Sequence, residues 1–288
     1  REDLDMAEGE VHLAAMYMFA LFNPALGITT VIPDMDARKT AQVNPAYLVE
    51  AIQTHGVTMS MGSPTIWKKV NRYCLENEIR LPSIKHIFIF GAPVSPVVIR
   101  ELSSLFDDGE VCTPYGATEA LPITNIDHEE ILSETAEKTD MGAGVCIGKP
   151  VTGVSVRIIP ISDDPVENWD DSMALPPNKI GEVAVKGVMV TREYLNRPEE
   201  TAKAKINSPD GVWHRMGDLG YLDEKGRLWF CGRKAHRVET AHGLMLPVCC
   251  ESIFNQHPKV ARTALVGIGE KGNQKPVLIV ELLPEYAH

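Results

Sequence analysis

The side chains of this chain that could do chemistry lie in a few short stretches marked by glycine. In Thr113-Pro114-Tyr115-Gly116-Ala117-Thr118-Glu119 a hydroxyl and a carboxylate follow a glycine that lets backbone come close. That combination suits a polyphosphate with its Mg²⁺. Taken alone, the run has an ordinary reading as a strand-to-helix turn in which Thr118 caps the helix that follows. It does not stand alone: Gly91-Ala92-Pro93-Val94-Ser95 lies upstream, and Gly217-Asp218-Leu219-Gly220-Tyr221 and Gly232-Arg233 lie downstream. Each of these also has a plain alternative, with Asp218 a turn residue, Arg233 a surface charge and Tyr115 a core aromatic. The ordered set is far more specific than any member.

The elements that must position these residues fall into two textures. Up to Ile126 the chain reads as α/β. The apolar run Val11 to Phe22 reads as a buried element stopped at Asn23-Pro24, and Gly27 to Pro33 as a strand. Asn44-Pro45 starts a helix that ends at His55-Gly56. Val57 to Met61 is a strand, and Ser63-Pro64 opens a helix through Leu75. Ile84 to Phe90 is a strand broken at Gly91, and Ser95-Pro96 begins a helix to about Leu105. Glu110 to Cys112 then delivers Tyr115 to the same edge, so both loops leave the carboxyl ends of strands, where α/β folds take ligands.

After Ile126, Gly142, Gly144, Gly148, Pro150 and Gly153 punctuate short β-rich pieces. Ser162 to Asn178 reads as an acidic surface loop, Gly181 to Gly187 as a half-buried strand, and Tyr194 to Thr201 as the start of a short helix. Gly217 to Phe230 reads as a turn, a strand, the Asp223-Glu224-Lys225-Gly226 hairpin and another strand, in a small antiparallel barrel or sheet. Arg233, Lys234 and Arg237 form a basic run of the kind that is usually a solvated face. Pro247 to Phe254 reads as a helix, followed by strands at Thr263 to Gly267 and Val277 to Leu282. The expected organisation is residues 1–139 as the α/β part of a large domain, 140–232 as its β-rich subdomain, and 233–288 as a hinge with an incomplete small domain.

Composition narrows the partners. The 288 residues are 44% hydrophobic and 23% charged, with a formal net charge of -11, which argues against a nucleic-acid surface but not against a local basic pocket for phosphates. No apolar run reaches the length of a membrane span, and Arg1-Glu2-Asp3-Leu4-Asp5 is unlike a signal peptide, so a cytoplasmic protein is expected. The six cysteines, Cys74, Cys112, Cys146, Cys231, Cys249 and Cys250, lack the paired spacing of a zinc site. They read as free thiols, mostly buried.

Taken together, Gly91-Ala92-Pro93, Tyr115 to Glu119, Gly217 to Asp223, Gly232-Arg233 and His257-Pro258 resemble the adenylate-forming superfamily of acyl-CoA synthetases, luciferases and nonribosomal adenylation domains. The resemblance spans essentially the whole chain. Within that superfamily, Phe19 to Gly27, Val31 to Asp36, Phe230 to Lys234 and Arg237 to Thr240 are most similar to the β-lactone-forming members of bacterial long-chain olefin biosynthesis. The resemblance implies part of a large αβαβα adenylation domain with a small β-barrel-like subdomain, plus the start of a small C-terminal α/β domain. It implies ATP and Mg²⁺ as cofactors. Gly91, Ala92 and Pro93 would line the adenine, with Tyr115 packed against the base and Gly116 in the same nucleotide-binding set. Thr118 would bond phosphate, Glu119 would hold Mg²⁺, Asp218 would accept from the ribose hydroxyls, and Arg233 would lie near ribose and phosphate. Thr118, Glu119 and Arg233 are thus the candidate catalytic residues.

The implied substrate is a 2-alkyl-3-hydroxy fatty acid, activated as acyl-AMP and closed by its own hydroxyl to a β-lactone, with assembly with other olefin-pathway enzymes among the implied partners. Phe19, Ala20 and Phe22 would line the acyl pocket, small Ala20 standing where many acyl-CoA synthetases have a histidine. Three features depart from the superfamily pattern. The lysine-ending phosphate loop is absent, the chain stops before the catalytic lysine, and the hinge aspartate and the following Gly-Gly align with His236 and Ala241-His242. The first two lead to the expectation that these residues are a fragment, inactive alone. Two alternatives stand beside this reading: a fatty acyl-CoA or acyl-AMP ligase, told apart by consumption of coenzyme A, and a non-catalytic nucleotide-binding scaffold, which would bind ATP without turnover.

Overall fold

Parallel strands covered on both faces need apolar residues at successive positions, because crossover helices leave neither face to water. The first half of the chain meets that demand. A computed structural model describes Leu4 and residues 6–286, so the charged start of the sequence and its last two residues lie largely outside it. The described chain divides into two compact units: Arg1–Tyr115 with Asn125–Ser133, and Gly116–Thr124 with Glu134–His288.

The first unit holds β1 (Val11–Leu13), α1 (Tyr17–Ala20), α2 (Asn23–Leu26), β2 (Thr29–Val31), α3 (Pro45–His55), β3 (Met59–Gly62), α4 (Pro64–Glu76), β4 (His86–Ile89), α5 (Pro96–Ser103) and β5 (Glu110–Cys112). The strands form a parallel sheet in the order β2-β1-β3-β4-β5. Met59, Ile87, Phe88, Ile89 and Val111 are all fully or almost fully buried. Local signals act as expected: the Asn44 side chain accepts from the Ala46 N–H and Gly56 closes α3 in the left-handed region, while the Ser95 side chain accepts from Val97 at the start of α5. The apolar run Val11 to Phe22 is different. It breaks after β1, and Tyr17, Met18, Leu21 and Phe22 are exposed, so it is not one buried element.

The Tyr115 to Glu119 run does not take the plain alternative of a strand-to-helix turn. It is a β-hairpin, β6 (Tyr115–Ala117) turning at Thr118-Glu119 into β7 (Ala120–Asn125). Thr118 therefore caps no helix. A Cβ on Gly116 would stand 2.7 Å from the Ala120 carbonyl oxygen and 2.6 Å from Leu121 Cδ1, so the close approach this glycine permits is to its own hairpin. The short α6 (His128–Glu130) follows in the first unit, and α7 (Ala136–Asp140) belongs to the second.

The second unit is mainly antiparallel. After β8 (Val145–Cys146) and β9 (Lys149–Pro150) come β10 (Val154–Ile159), β11 (Gly181–Gly187), α8 (Pro198–Ala204), β12 (Lys205–Ser208), β13 (Gly211–Leu222) and β14 (Leu228–Arg233). Six of these strands make one sheet in the order β10-β11-β13-β14-β8, with β12 also paired to β13. Strand β11 is not half-buried: Gly181 to Val185 are all buried, Glu182 among them. Gly217 is not in a turn either. It lies within β13 at φ +65°, a conformation that favours glycine. Val166, Trp169 and Met173, from the acidic segment read as a surface loop, pack against Ile159, Ala184, Ile206 and Trp213. The unit continues through β15 (Val238–Thr240), β16 (Gly243–Met245), α9 (Pro247–Phe254), β17 (Val260–Ile268) and β18 (Lys275–Leu282), where β15 pairs β16 and β17 pairs β18.

Glu182 is buried because Arg215 faces it from β13. Arg215 Nη2 donates to Glu182 Oε2 at 2.6 Å, and its other donors reach the carbonyls of Asp164, Lys203 and Ser162. Lys234 adds a second cation to Glu182 at 3.0 Å. Removing one partner of such a pair strands the other charge. Arg215→Met is expected to lower stability by about 3 to 5 kcal/mol in urea unfolding, and Arg215→Met with Glu182→Gln to recover part of that loss.

Candidate functional site

The first unit positions its candidates at the carboxyl ends of adjacent parallel strands. Gly91, Ala92 and Pro93 follow β4 and are exposed, and Thr113 to Tyr115 follow β5. Both loops leave the same edge of the sheet, as expected from the strand pattern. Phe19 turns inward, its ring 5.0 Å from that of Phe90 in an edge-to-face arrangement, and joins the cluster of Ile28, Met59, Met61, Phe88 and Cys112. Ala20 is half-buried, while Phe22 is 64% exposed. The three residues expected together in an acyl pocket thus differ in their surroundings, and only Phe19 packs into this core.

In the second unit Thr118 is exposed and Glu119 half-buried at the hairpin turn. Glu119 is held at two points. Its Oε1 accepts from the Tyr194 hydroxyl at 2.6 Å, and its backbone carbonyl accepts from the Thr191 N–H at 2.8 Å. Burial pushes the Glu119 carboxyl up, but the Tyr194 bond, a backbone hydrogen bond and the Lys205 charge outweigh it, and the net shift is downward. Glu119 is therefore a carboxylate at neutral pH. The same pairing, added to burial, pushes the Tyr194 phenol up to about 12.

Asp218 and Arg233 face each other across β13 and β14. Arg233 Nη1 donates to Asp218 Oδ1 at 2.8 Å; the Asp218 side chain is 3% exposed and the Arg233 side chain 54%. The acid is thus fixed by the sheet, while the guanidinium is half in solvent with donors left for another anion. The Arg233 charge also acts on the Tyr194 phenol, which links this pair to Glu119. Neither Asp218 as a turn residue nor Arg233 as a free surface charge describes what is observed.

The basic run is not simply a solvated face. Lys234 bonds the Ser162 carbonyl at 2.8 Å besides Glu182, and Arg237 pairs with Asp163 and Glu239, each at 2.6 Å. Asp163, drawn down to about 2 chiefly by its bond from Arg237, is shared with Lys271 at 3.5 Å. His236 is exposed within this braced segment. Free thiols are found at all six cysteines. Cys249 shares a hydrogen bond with Cys231, which draws the Cys249 thiol down.

Three residues that matter here were not singled out by the sequence reading: Tyr194, Lys205 and His214. A signal existed for one of them. His214 and Arg215 stand between apolar Trp213 and Met216, where a strand covered on both faces would bury them. His214 is 3% exposed, and burial, with the nearby Lys205 charge, pulls it down to about 4.

A ligand site for Mg²⁺ can be tested on the donor set. Mg²⁺ prefers oxygen donors and is usually held by one or two carboxylates together with substrate phosphates. Glu119 offers an ionised carboxylate whose Oε1 is oriented by Tyr194, leaving Oε2 as the oxygen to meet a cation. The residues fit. Among the described residues no group of three or more acidic, histidine or cysteine side chains forms an all-protein metal site, so substrate oxygens would have to complete the coordination.

The family model for AMP-binding enzymes matches residues 11–195, and the chain belongs to that family. It is 46% identical over 284 residues to an olefin beta-lactone synthetase of Stenotrophomonas maltophilia, covering 96% of this chain and 50% of that protein. A second olefin beta-lactone synthetase, from Xanthomonas campestris, is 45% identical, covering 100% and 52% respectively. A 2-succinylbenzoate–CoA ligase of Bacillus cereus is 27% identical, covering 96% and 53%. Among solved structures, O-succinylbenzoate coenzyme A synthetase of Bacillus subtilis with ATP and magnesium superposes with a TM-score of 0.76 at 25% identity, covering 98% of this chain and 53% of that one. The mixed α/β architecture is thus that of the adenylation fold, and the chain spans about half the length of the curated relatives it matches. Among the described residues no helix is long and apolar enough to cross a membrane.

His214 supplies a stability prediction. It is neutral when folded but takes a proton near 6.5 when unfolded, so the unfolded chain binds more protons between about 4 and 6.5. Stability therefore rises with pH through that window and levels off above it. In His214→Gln the rise, measured by thermal or urea unfolding at several pH values, is expected to shrink by up to about 3 kcal/mol.

Proposed function

We propose that this protein uses ATP to activate a 2-alkyl-3-hydroxy fatty acid and closes it to a β-lactone. The observation that carries the proposal is the identity of 46% and 45%, over essentially the whole chain, to two olefin beta-lactone synthetases. The buried Asp218 with its half-exposed Arg233, and the ionised, doubly held Glu119, support it. In the first step the substrate carboxylate attacks the α-phosphorus of ATP, and pyrophosphate leaves in line. In the second the substrate's own hydroxyl attacks the acyl carbon, AMP leaves, and the hydroxyl proton is released as the ring closes. Because nucleophile and carbonyl belong to one molecule, proximity carries much of that step.

The roles are proposed residue by residue. The backbone of Gly91, Ala92 and Pro93 lines the adenine and Tyr115 packs on the base. Gly116 belongs to the nucleotide-binding set, Thr118 bonds phosphate, Glu119 holds Mg²⁺, Asp218 accepts from the ribose hydroxyls, and Arg233 donates to ribose or phosphate oxygens. When bound, Mg²⁺ would neutralise charge on the phosphate oxygens. Residues 233–288 are proposed as a hinge followed by small-domain elements. Association with enzymes that make or consume the hydroxy acid and the lactone belongs to the same proposal, as does a place in the cytoplasm.

A second reading, an acyl-CoA ligase, draws on the relatives so named at 27 to 30% identity. Proton NMR of the intact protein with ATP, Mg²⁺ and a synthetic 2-alkyl-3-hydroxy acid separates the two. A β-lactone formed with AMP, without coenzyme A, is the expected result; AMP and thioester formed only after coenzyme A is added would establish the ligase instead. Ala20 is proposed to leave room for the branched chain. Ala20→Trp is accordingly expected to cut kcat/KM for branched acids by roughly tenfold or more relative to straight ones, and an unchanged ratio would remove Ala20 from the pocket.

A further inference from the structure

A lysine is rarely buried unless it is paired. Lys205, the first residue of β12, is 7% exposed, yet its hydrogen bonds go to Thr191: the carbonyl at 2.5 Å and the hydroxyl at 3.2 Å. A methionine or leucine would fill this place without the cost of removing a charge from water. What the ammonium supplies is contact with both residues that hold Glu119. It fixes Thr191, whose N–H donates to the Glu119 carbonyl, and it lies 5.8 Å from the ring centre of Tyr194, whose hydroxyl donates to the Glu119 carboxylate.

The surroundings are consistent with a charge that is answered at a distance. Tyr194 is further tied through its backbone N–H to the Thr201 hydroxyl on α8 at 3.0 Å, the helix that leads directly into Lys205. His214 is the register partner of Lys205 on β13, and its Nδ1 lies 3.2 Å from the Ala204 carbonyl. The negative charge that acts on Lys205 is that of Glu119.

We propose that Lys205 is a positioning residue for Glu119. It clamps the segment from Thr191 to Tyr194, and through that segment it aims the Glu119 carboxylate at a divalent cation bound with nucleotide phosphates. The inference rests on the reading of Glu119 as the Mg²⁺-binding residue.

Calorimetric titration of the intact protein with ATP, once with Mg²⁺ and once with EDTA, isolates the cation-dependent gain in affinity without requiring turnover. Glu119→Gln sets the scale of that gain. Lys205→Met is expected to lose about tenfold of it, the usual cost of removing an outer-shell partner, with affinity in EDTA unchanged. Tyr194→Phe, which removes one hydroxyl, is expected to lose a similar share, and the double variant no more than the larger single loss. If Glu119→Gln keeps the whole gain, the metal reading fails and the role of Lys205 with it. If Glu119→Gln loses the gain while Lys205→Met keeps it, the positioning proposal alone is overturned. Should Lys205→Met not fold, an undiminished gain in Tyr194→Phe overturns the relay by itself.

Discussion

The second unit depends on one buried ion pair. Arg215 and Glu182 are nearly without solvent contact, and such a pair is tolerable only when the remaining donors and acceptors are satisfied. They are satisfied by elements that would otherwise be independent. Arg215 reaches the 162–164 segment and the end of α8, while Glu182 also takes Lys234 from the segment after β14. One charge pair thus fixes β11 against β13, anchors the acidic segment, and sets where Lys234 stands. Three residues along β13 from Arg215 lies Asp218, and β14 returns Arg233 opposite it. The Asp218–Arg233 pair, proposed to meet the ribose, inherits its rigidity from an ion pair elsewhere in the sheet.

Much of the first unit was legible in the sequence, since its signals are local. The Asn44-Pro45 and Ser95-Pro96 caps, Gly56 and the apolar strands each fix their own neighbourhood, and parallel β4 and β5 carry two glycine- or proline-bearing loops to one edge. The run from Val11 to Phe22 was misread for an equally physical reason. Apolar composition indicates the residues available for burial but not where the chain turns, and the break after β1 leaves Tyr17, Leu21 and Phe22 outside. The plain alternative for Thr118-Glu119, a helix start, and the hairpin turn that is found draw on the same hydroxyl and acid residues, which serve both.

In the second unit the legible part was the set of glycines and charges, and the hidden part was their partners. Asp218 and Arg233 are fifteen positions apart, and nothing in their spacing reveals that they pair across two strands. The same holds for Lys234 with Glu182 and for Tyr194 with Glu119, contacts made by tertiary packing. A basic run reads as solvated because solvation is the common outcome. Here Lys234 and Arg237 are covered because acidic residues distant in sequence meet them.

Arg215 and Lys205 illustrate how to separate a structural buried charge from a functional one. The guanidinium of Arg215 meets its carboxylate directly and spends its other donors on nearby carbonyls, so its position is accounted for by the fold. Among the described residues the Lys205 ammonium bonds Thr191 alone, and burial lowers it to about 8 even with the opposing pull of Glu119. The fold gains less from that lysine than an apolar side chain would give, and a cost kept in the folded state calls for a use outside packing. The two residues joined by Lys205 are the two that hold Glu119, which makes the direction of that carboxylate the property most sensitive to its presence.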